Sequence, residues 1–229
     1  MLDDLEVVYT ETGGIELAYA VIGEGPTTVV RVSPLSASLD LLGEVGGHLI
    51  ERLARFARVV LMDRRGQGLS DRRGGLGTAE DRMDDVGSVM DAAGVDRAVL
   101  MSDHDSVCLS LLFAATYPER VTGLVLSSVA APRVRWAPDY PIGLPDDLLE
   151  IQLGDVARMW GTGRILSVFG DPALGSTDRH FFARIERAAG GGGPLSLLNP
   201  VQILKTHPNP LARIPLVQTV GRNWRQQHP

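Results

Sequence analysis

Three consecutive residues, Asp103, His104 and Asp105, form the segment of this sequence with the clearest potential for chemistry. Imidazole titrates near neutral pH, so a histidine can serve as a general acid or a general base under ordinary conditions. Neighbouring carboxylates favour the protonated imidazole and would raise its pKa. We therefore take His104 as the candidate catalytic residue, with Asp103 and Asp105 as candidate partners.

The same segment does not predict a metal site. Side chains of three consecutive residues diverge, and the sequence offers no second cluster of metal-ligating residues. The single cysteine, Cys108, excludes an internal disulfide and falls in an apolar stretch, which favours a buried thiol. We expect neither a metal nor another cofactor.

Short β-branched runs alternate with helical patterns and predict the elements that position this segment. Five such runs predict strands at residues 27–32, 58–62, 97–101, 122–127 and 214–220. The alternation is typical of a parallel sheet with helices on both faces. Two earlier strands, at residues 6–10 and 15–21, flank Gly13-Gly14, which favours an antiparallel hairpin at the sheet edge. The expected fold class is α/β with a mostly parallel, twisted sheet.

The alternation stops between Pro132 and about Pro210, where helical segments are interrupted by Pro and Gly. We interpret residues 132–210 as a helical cap over a core formed by residues 1–131. Residues 211–229 would then supply the last core strand and an irregular tail.

LMDRRGQGLSD at residues 61–71, LFAATYPERV at residues 112–121 and MWGTG at residues 159–163 follow one another along the chain. In this order they resemble motifs of the α/β-hydrolase superfamily, and in particular of the hydrolases associated with bacterial adenylate cyclases. The family motif fDrRGxGlSD is similar to LMDRRGQGLSD at residues 61–71. The helix end and strand start that follow the family's nucleophile are similar to LFAATYPERV at residues 112–121, and a cap motif resembles MWGTG at residues 159–163. The resemblance extends from about residue 14 to about residue 217 and implies the α/β-hydrolase fold.

Within the first of these motifs, elementary conformational rules already predict a turn. Gly66 and Gly68 permit positive φ where the chain leaves the strand, and Asp71 can cap the segment that follows.

The resemblance also implies the position of the nucleophile turn. In this fold a G-x-S-x-G turn joins a central strand to a helix, and small residues flank the nucleophile. Counting back from Phe113 places the five positions on residues 102–106, SDHDS, so that His104 stands where a serine is expected. Ser102 and Ser106 keep the flanking positions small, and histidine tolerates left-handed backbone better than most residues. A register with Ser102 or Ser106 as nucleophile is an alternative, but it breaks the spacing to Phe113.

Other parts that the resemblance implies are missing. A serine hydrolase of this fold needs an acid and then a histidine after the nucleophile. Where the family has P-T-L-V-L-H-x-x-G-D, the nearest stand-ins here are Asn223 and His228. We expect the closing strand and helix to be absent through truncation or a frameshift. The strand at residues 214–220 would then be an exposed edge, which predicts a homodimer.

The loop that holds the substrate oxygen in this family is altered as well. Pro34 follows the third strand and has no N–H to donate. Leu35 and Val107 match the two usual backbone donors, although an ordinary turn without a binding role is an alternative. The candidate oxyanion and substrate-binding residues are Leu35, Val107, Ser33, Ser36 and, from the cap motif, Trp160.

Composition limits the classes of partner. The sequence has 22 basic and 28 acidic residues, a net charge of −6, and scattered basic residues, so nucleic acid is not an expected partner. No apolar run is long enough to span a membrane, and the first residues do not form a signal peptide. We expect a cytoplasmic protein that binds a small hydrophobic molecule.

Three functions fit these observations. The first is a non-hydrolytic enzyme of secondary metabolism, in which His104 acts as acid or base in a cyclisation, elimination or isomerisation. The second is a catalytically inactive binding or interaction protein that keeps the ligand pocket. The third is an esterase or lactonase that uses a histidine nucleophile or parts supplied by a partner subunit.

Overall fold

The computed structural model describes residues 2, 5–34, 37–44, 47–73, 75–127, 146–165 and 176–190. In these segments the strands are β1 (Val8–Thr12), β2 (Ile15–Ile22), β3 (Thr27–Val32), β4 (Ala57–Met62), β5 (Ala98–Asp103) and β6 (Val121–Ser127). The helices are α1 (Gly47–Ala54), α2 (Ala79–Ala92), α3 (Ser106–Thr116), α4 (Asp146–Met159) and α5 (Ser176–Ala189).

The described strands form one sheet with the order β1-β2-β4-β3-β5-β6. The pairs β1/β2 and β2/β4 are antiparallel, whereas β3 pairs in parallel with β4 and β5, and β5 pairs in parallel with β6. The predicted mixed sheet with an antiparallel edge is therefore confirmed. Gly13 and Gly14 make the hairpin turn with φ of 57° and 77°.

The predicted strand boundaries agree with the structure to within about two residues. Residues 27–32 match β3, and the strand predicted at 97–101 extends to Asp103, directly before the candidate site. The strand predicted at residues 214–220, and with it the predicted dimer edge, lies outside the described residues.

Helices cover both faces of the sheet, as expected for buried parallel strands. Alternate residues of a strand point to opposite faces. On one face Val30 and Leu100 pack with α2 and α3 in a large apolar cluster, and on the other Val29 and Leu61 pack with α1. Helix α3 is buried from Ser106 to Ala114, because it lies against the centre of the sheet.

Helix α2 begins with a capping box that fixes its first turn. The Asp81 N–H donates to Thr78 Oγ1 at 3.1 Å, and the Thr78 N–H donates to Asp81 Oδ2 at 2.7 Å. Arg82 and Asp85 lie three positions apart on one side of the helix. Both side chains are buried.

Helices α4 and α5 fall within the range predicted as a cap, and a glycine contact joins them. The Glu186 carboxylate accepts hydrogen bonds from the N–H groups of Gly163 (2.8 Å) and Ile165 (3.3 Å). A Cβ on Gly163 would lie 2.0 Å from the Arg179 carbonyl oxygen, so the MWGTG segment needs glycine there. The division into core and cap stays a prediction.

One arginine connects the end of α5 to the segment after β4. Arg72 Nη2 donates to the Gly68 carbonyl at 2.8 Å and to the Ala188 carbonyl at 2.7 Å.

Among the described helices, none has the length and apolar character needed to cross a membrane.

Candidate functional site

The turn between β5 and α3 contains His104 in a left-handed conformation. Its φ is 52°, and among the described residues it is the only one other than glycine with positive φ. Ser106 closes the turn, since its Oγ donates to the Asp103 carbonyl at 2.7 Å and accepts the Asp103 N–H at 3.1 Å. The His104 N–H donates to the Ser127 carbonyl at 3.3 Å, while its side chain is exposed. The turn therefore presents an imidazole to the surface at the carboxyl end of the sheet.

Both carboxylates beside His104 have guanidinium partners. Arg64 Nη2 donates to Asp105 Oδ2 at 2.7 Å, and the two side chains are only 5% and 11% exposed. On the other side of the turn, Arg31 Nη2 lies 3.4 Å from Asp103 Oδ1. The two aspartates that sequence analysis assigned to His104 thus also neutralise arginines from β3 and from the segment after β4.

A second buried ion pair lies close to the first. Arg65 forms a two-point contact with Asp85, with Nε to Oδ2 at 2.7 Å and Nη2 to Oδ1 at 2.6 Å. The hydrogen bonding that Arg65 donates to Asp85 raises the pKa of Arg65, whereas burial raises the pKa of the Asp85 carboxyl. This pair joins the segment after β4 to the first turns of α2.

Arg82 belongs to the same group of buried charges. Its Nε donates to the Leu76 carbonyl at 2.6 Å, and the residue is 4% exposed. Burial and, to a smaller extent, the nearby positive charge of Arg64 lower the pKa of Arg82 to about 9. At neutral pH the guanidinium remains protonated.

Asp63 organises the two loops that flank the site. Its carboxylate oxygens each lie 3.1 Å from the Leu39 N–H, and Oδ2 also accepts the Leu69 N–H at 2.9 Å. Burial raises the pKa of Asp63 to about 6, although these backbone hydrogen bonds oppose the shift. The carboxylate therefore ties the segment after β3 to the turn after β4.

The turn after β4 contains glycine at both of its predicted left-handed positions. Gly66 has φ of 76° and Gly68 has φ of 54°. A Cβ on Gly68 would lie 2.0 Å from Asp63 Oδ2, so a side chain at this position would displace the carboxylate. The glycines of the motif thus serve both conformation and close packing.

The end of the same turn is fixed by side-chain hydrogen bonds. Ser70 Oγ donates to the Asp63 carbonyl at 2.6 Å and accepts the Ala18 N–H at 2.9 Å, which joins β2 to the turn. Asp71 Oδ1 accepts the Arg73 N–H at 2.9 Å. The predicted capping role of Asp71 is confirmed.

The predicted oxygen-binding residues are only partly described. Ser33 is buried and its Oγ donates to the Met62 carbonyl at 2.6 Å, whereas Leu35 and Ser36 lie outside the described residues. Val107 lies in the first turn of α3, where the leading N–H groups of a helix have no acceptor within the helix. The N–H directly after the strained residue is that of Asp105, a further potential donor that sequence analysis did not single out.

Trp160 and Cys108 have structural surroundings. The Trp160 indole N–H donates to the Gly190 carbonyl at 2.9 Å, which links the end of α4 to the end of α5. Cys108 is buried, as predicted, and burial raises the pKa of its thiol to about 11. Within the described segments, no three His, Cys, Asp or Glu residues are grouped so that they could hold a metal ion.

Neither serine beside His104 is presented as a nucleophile. Ser102 is 2% exposed and Ser106 is fully buried, with its hydroxyl occupied by Asp103. The exposed side chain of the turn belongs to His104, and the assignment of His104 to the nucleophile position stays a prediction.

Sequence analysis missed the arginines that surround the turn. Arg31 lies in an otherwise apolar central strand, and a charge in such a strand needs a partner when it is buried. The sequence therefore indicates that Arg31 needs a partner. It does not indicate that the partner is Asp103, because β3 and β5 pair only in the folded sheet.

Comparison with known proteins finds similarity in structure alone. No family model matches the sequence, and no curated protein sequence matches it. Epoxide hydrolase VrEH1 from Vigna radiata is similar in structure, with a TM-score of 0.64, 19% identity, and coverage of 91% of this chain and 76% of that one. A bromoperoxidase from Bacillus anthracis (TM-score 0.65, 18% identity, 85% and 73% coverage) and an esterase from Exiguobacterium antarcticum (0.65, 18%, 87% and 72%) are similar as well.

Proposed function

We propose that this protein, a chain with the α/β-hydrolase fold, uses His104 as a general acid and base in a non-hydrolytic reaction on a small, largely apolar substrate. The proposal includes three reaction classes: isomerisation, elimination and cyclisation. The apolar substrate follows from the cap predicted at residues 132–210. The histidine in place of a serine follows from the register of the turn.

The strained backbone at His104 is the observation that carries this proposal. A residue held in a sparsely populated backbone region costs about 1–3 kcal/mol, and such residues cluster at functional sites. Glycine would remove the strain, yet the chain has an exposed imidazole there, at φ of 52°. A turn with only a structural role gains nothing from that side chain.

The surroundings of His104 suit proton transfer. An exposed imidazole near the first turn of α3 can take a proton from a carbon or oxygen of the substrate. The leading N–H groups of the helix, including that of Val107, then stabilise the negative charge that develops on the substrate oxygen. The imidazolium returns the same proton to another atom of the substrate, so the reaction needs no cofactor and no water.

Ester hydrolysis by a serine has less support at this turn. Ser102 and Ser106 are buried, and the Ser106 hydroxyl already holds the backbone of Asp103. The epoxide hydrolase and esterase named above share the fold with this chain at under 25% identity, and a shared fold does not transfer a reaction.

The test compares proton exchange with hydrolysis. Wild type, His104→Ala, His104→Ser and the control Ser102→Ala are incubated in D₂O with small apolar ketones, hydroxy acids and alkenoic acids, and separately with chromogenic esters. Deuterium incorporation and product formation are followed by NMR. We expect wild type and Ser102→Ala to exchange a substrate proton, and His104→Ala to lose at least about 100-fold in rate while still binding substrate.

Each other result has a definite meaning. If His104→Ala exchanges protons as fast as wild type, His104 is not the acid or base. Ester turnover that requires His104 would indicate a histidine nucleophile and an esterase. Binding in wild type without conversion of any compound would indicate a binding protein.

A further inference from the structure

A cluster of buried charges, which we call the arginine cluster, adjoins the His104 turn. Its members are Arg64, Arg65, Arg82, Asp85 and Asp105. The Arg64 and Arg65 side chains are 5% and 9% exposed, and residue Arg82 is 4% exposed. Because Asp105 directly follows His104, the cluster reaches the candidate catalytic residue through the backbone of the turn.

The hydrogen bonds of the cluster are unevenly distributed. Arg65 donates three hydrogen bonds, two to Asp85 and a third from Nη2 to the Asp81 carbonyl at 3.0 Å. In contrast, Arg64 Nε and Arg82 Nη2 are shielded from solvent and have no hydrogen-bond partner in the part of the chain that the structure describes. Buried N–H donors of a charged group without an acceptor are strongly unfavourable.

The charges of the cluster are also unbalanced, because it contains more positive than negative groups. Among the described residues of the cluster, three buried guanidinium groups face the buried carboxylate of Asp85 and the largely covered carboxylate of Asp105, whose side chain is 11% exposed. A third carboxylate, Asp81, lies 3.7 Å from Arg65 Nη1, but it is 46% exposed and its Oδ2 accepts the Thr78 N–H. Solvent screens that charge, so the buried part of the cluster has an excess of one positive charge.

We infer that the arginine cluster binds the carboxylate group of the substrate whose body is held beside His104. This inference rests on the proposed function and names the class of substrate: a small carboxylic acid that is otherwise apolar. Arg82 Nη2 and Arg64 Nε supply charge-assisted donors, and Arg64 contacts Asp105, the residue directly before α3. A planar guanidinium matches the two oxygens of a carboxylate.

The direction of entry follows from exposure. His104 is exposed and Asp105 is the most exposed member of the pair with Arg64, whereas both arginines with unpaired donors are covered. The substrate carboxylate therefore enters from the His104 side. There it replaces part of the hydrogen bonding between Arg64 and Asp105. A water molecule in the same place would satisfy the donors but would leave the positive charge unbalanced.

The experiment uses 3-methylbutanoate and its neutral isostere 3-methylbutanamide as probes of equal shape. Binding to the full chain is measured by isothermal titration calorimetry at one ionic strength and one neutral pH. We expect the acid to bind at least about tenfold more tightly than the amide to wild type. Arg82→Met should remove this preference, and the control Arg158→Met, at an exposed arginine of α4, should keep it.

A second variant has the opposite expected sign. Asp105→Asn removes the carboxylate that competes for Arg64, so the acid should bind several-fold more tightly than to wild type. Since the effect is a gain, loss of folding cannot imitate it. His104→Ala should bind the acid as wild type does. If wild type prefers the acid but His104→Ala exchanges substrate protons as fast as wild type, the proposed function fails while this inference stands.

The inference is overturned if wild type binds acid and amide equally or binds neither. It is also overturned if Arg82→Met keeps the preference or Asp105→Asn weakens acid binding. A last experiment uses chloride to distinguish a structural ion site from a substrate site. If chloride at the same concentration stabilises the protein against heat as strongly as 3-methylbutanoate does, the cluster is a structural ion site and not a substrate site.

Discussion

Two turns follow β4 and β5, the parallel strands on either side of β3, and they differ in how they accommodate conformational strain. The turn after β4 has glycine at its left-handed positions, Gly66 and Gly68, and the Asp63 carboxylate holds its backbone. The turn after β5 has His104 at its left-handed position, with an exposed side chain. Both turns require a left-handed backbone conformation. Glycine removes the resulting strain in the turn after β4, whereas His104 retains it in the turn after β5.

The difference separates the part of the carboxyl edge that supports the fold from the part that we propose performs chemistry. A residue type that removes strain stabilises the turn, whereas a side chain that retains strain must be useful for another reason. The following three experiments change one turn at a time, in order of the size of the expected effect.

Gly68→Ala should have the largest effect, because the new Cβ would overlap the Asp63 carboxylate. Its distance to Asp63 Oδ2 would be 2.0 Å, and the residue has φ of 54°. We expect the free energy of unfolding to fall by about 3 kcal/mol, measured by urea denaturation. Gly75→Ala is the matched control: it has φ of 62° with nothing within 4 Å of the added Cβ, so about 1 kcal/mol is expected. Equal losses would contradict the packing argument.

Asp63 makes the turn after β4 sensitive to pH. Its folded-state pKa of about 6 lies above the ordinary value of 3.8, so ionisation disfavours the folded state and protonation relieves that cost. Its contribution to stability should therefore rise by about 1 kcal/mol as the pH falls from 7 to 5.

The difference in stability between wild type and Asp63→Asn, followed from pH 7 to pH 5, isolates this contribution. Asp71 and Asp81 have lowered pKa values and contribute with the opposite sign, but they are common to both proteins. A difference that does not change with pH would show that Asp63 is ionised throughout the range.

His104→Gly should have the smallest effect on stability, and its sign is the informative part. Glycine relieves the left-handed strain but gives the unfolded chain more freedom, so a net gain of about 0.5 kcal/mol is expected in urea denaturation. Ser102→Gly, at a buried strand position without positive φ, should lose stability instead. A loss in His104→Gly would mean that the imidazole stabilises the turn, and the contrast between the two turns would disappear.

The sheet and the turns were predictable because their signals are local. β-Branched runs, the Gly13-Gly14 pair and the glycines at 66 and 68 each constrain the backbone within a few residues. The small residues around His104 likewise indicated a tight turn, and the positive φ agrees with it. The helical character of residues 146–159 and 176–189 was also evident.

The ion pairs around the site were not predictable, because their partners are distant in sequence. Arg64 and Asp105 are 41 residues apart, and Arg65 and Asp85 are 20 apart. Sequence analysis therefore assigned Asp103 and Asp105 to His104 alone, since it could compare only neighbours. Which of several arginines reaches a given carboxylate depends on strand order and helix rotation, and neither leaves a local pattern.

Ser70 has a consequence for the order in which the molecule folds. Its hydroxyl bridges the Asp63 carbonyl and the Ala18 N–H, which are 7 and 52 residues away. The first contact closes a short loop quickly, but the second must await the docking of the early hairpin against β4, since long loops close at a greater entropic cost. The turn after β4 is therefore completed only after β2 has docked against β4.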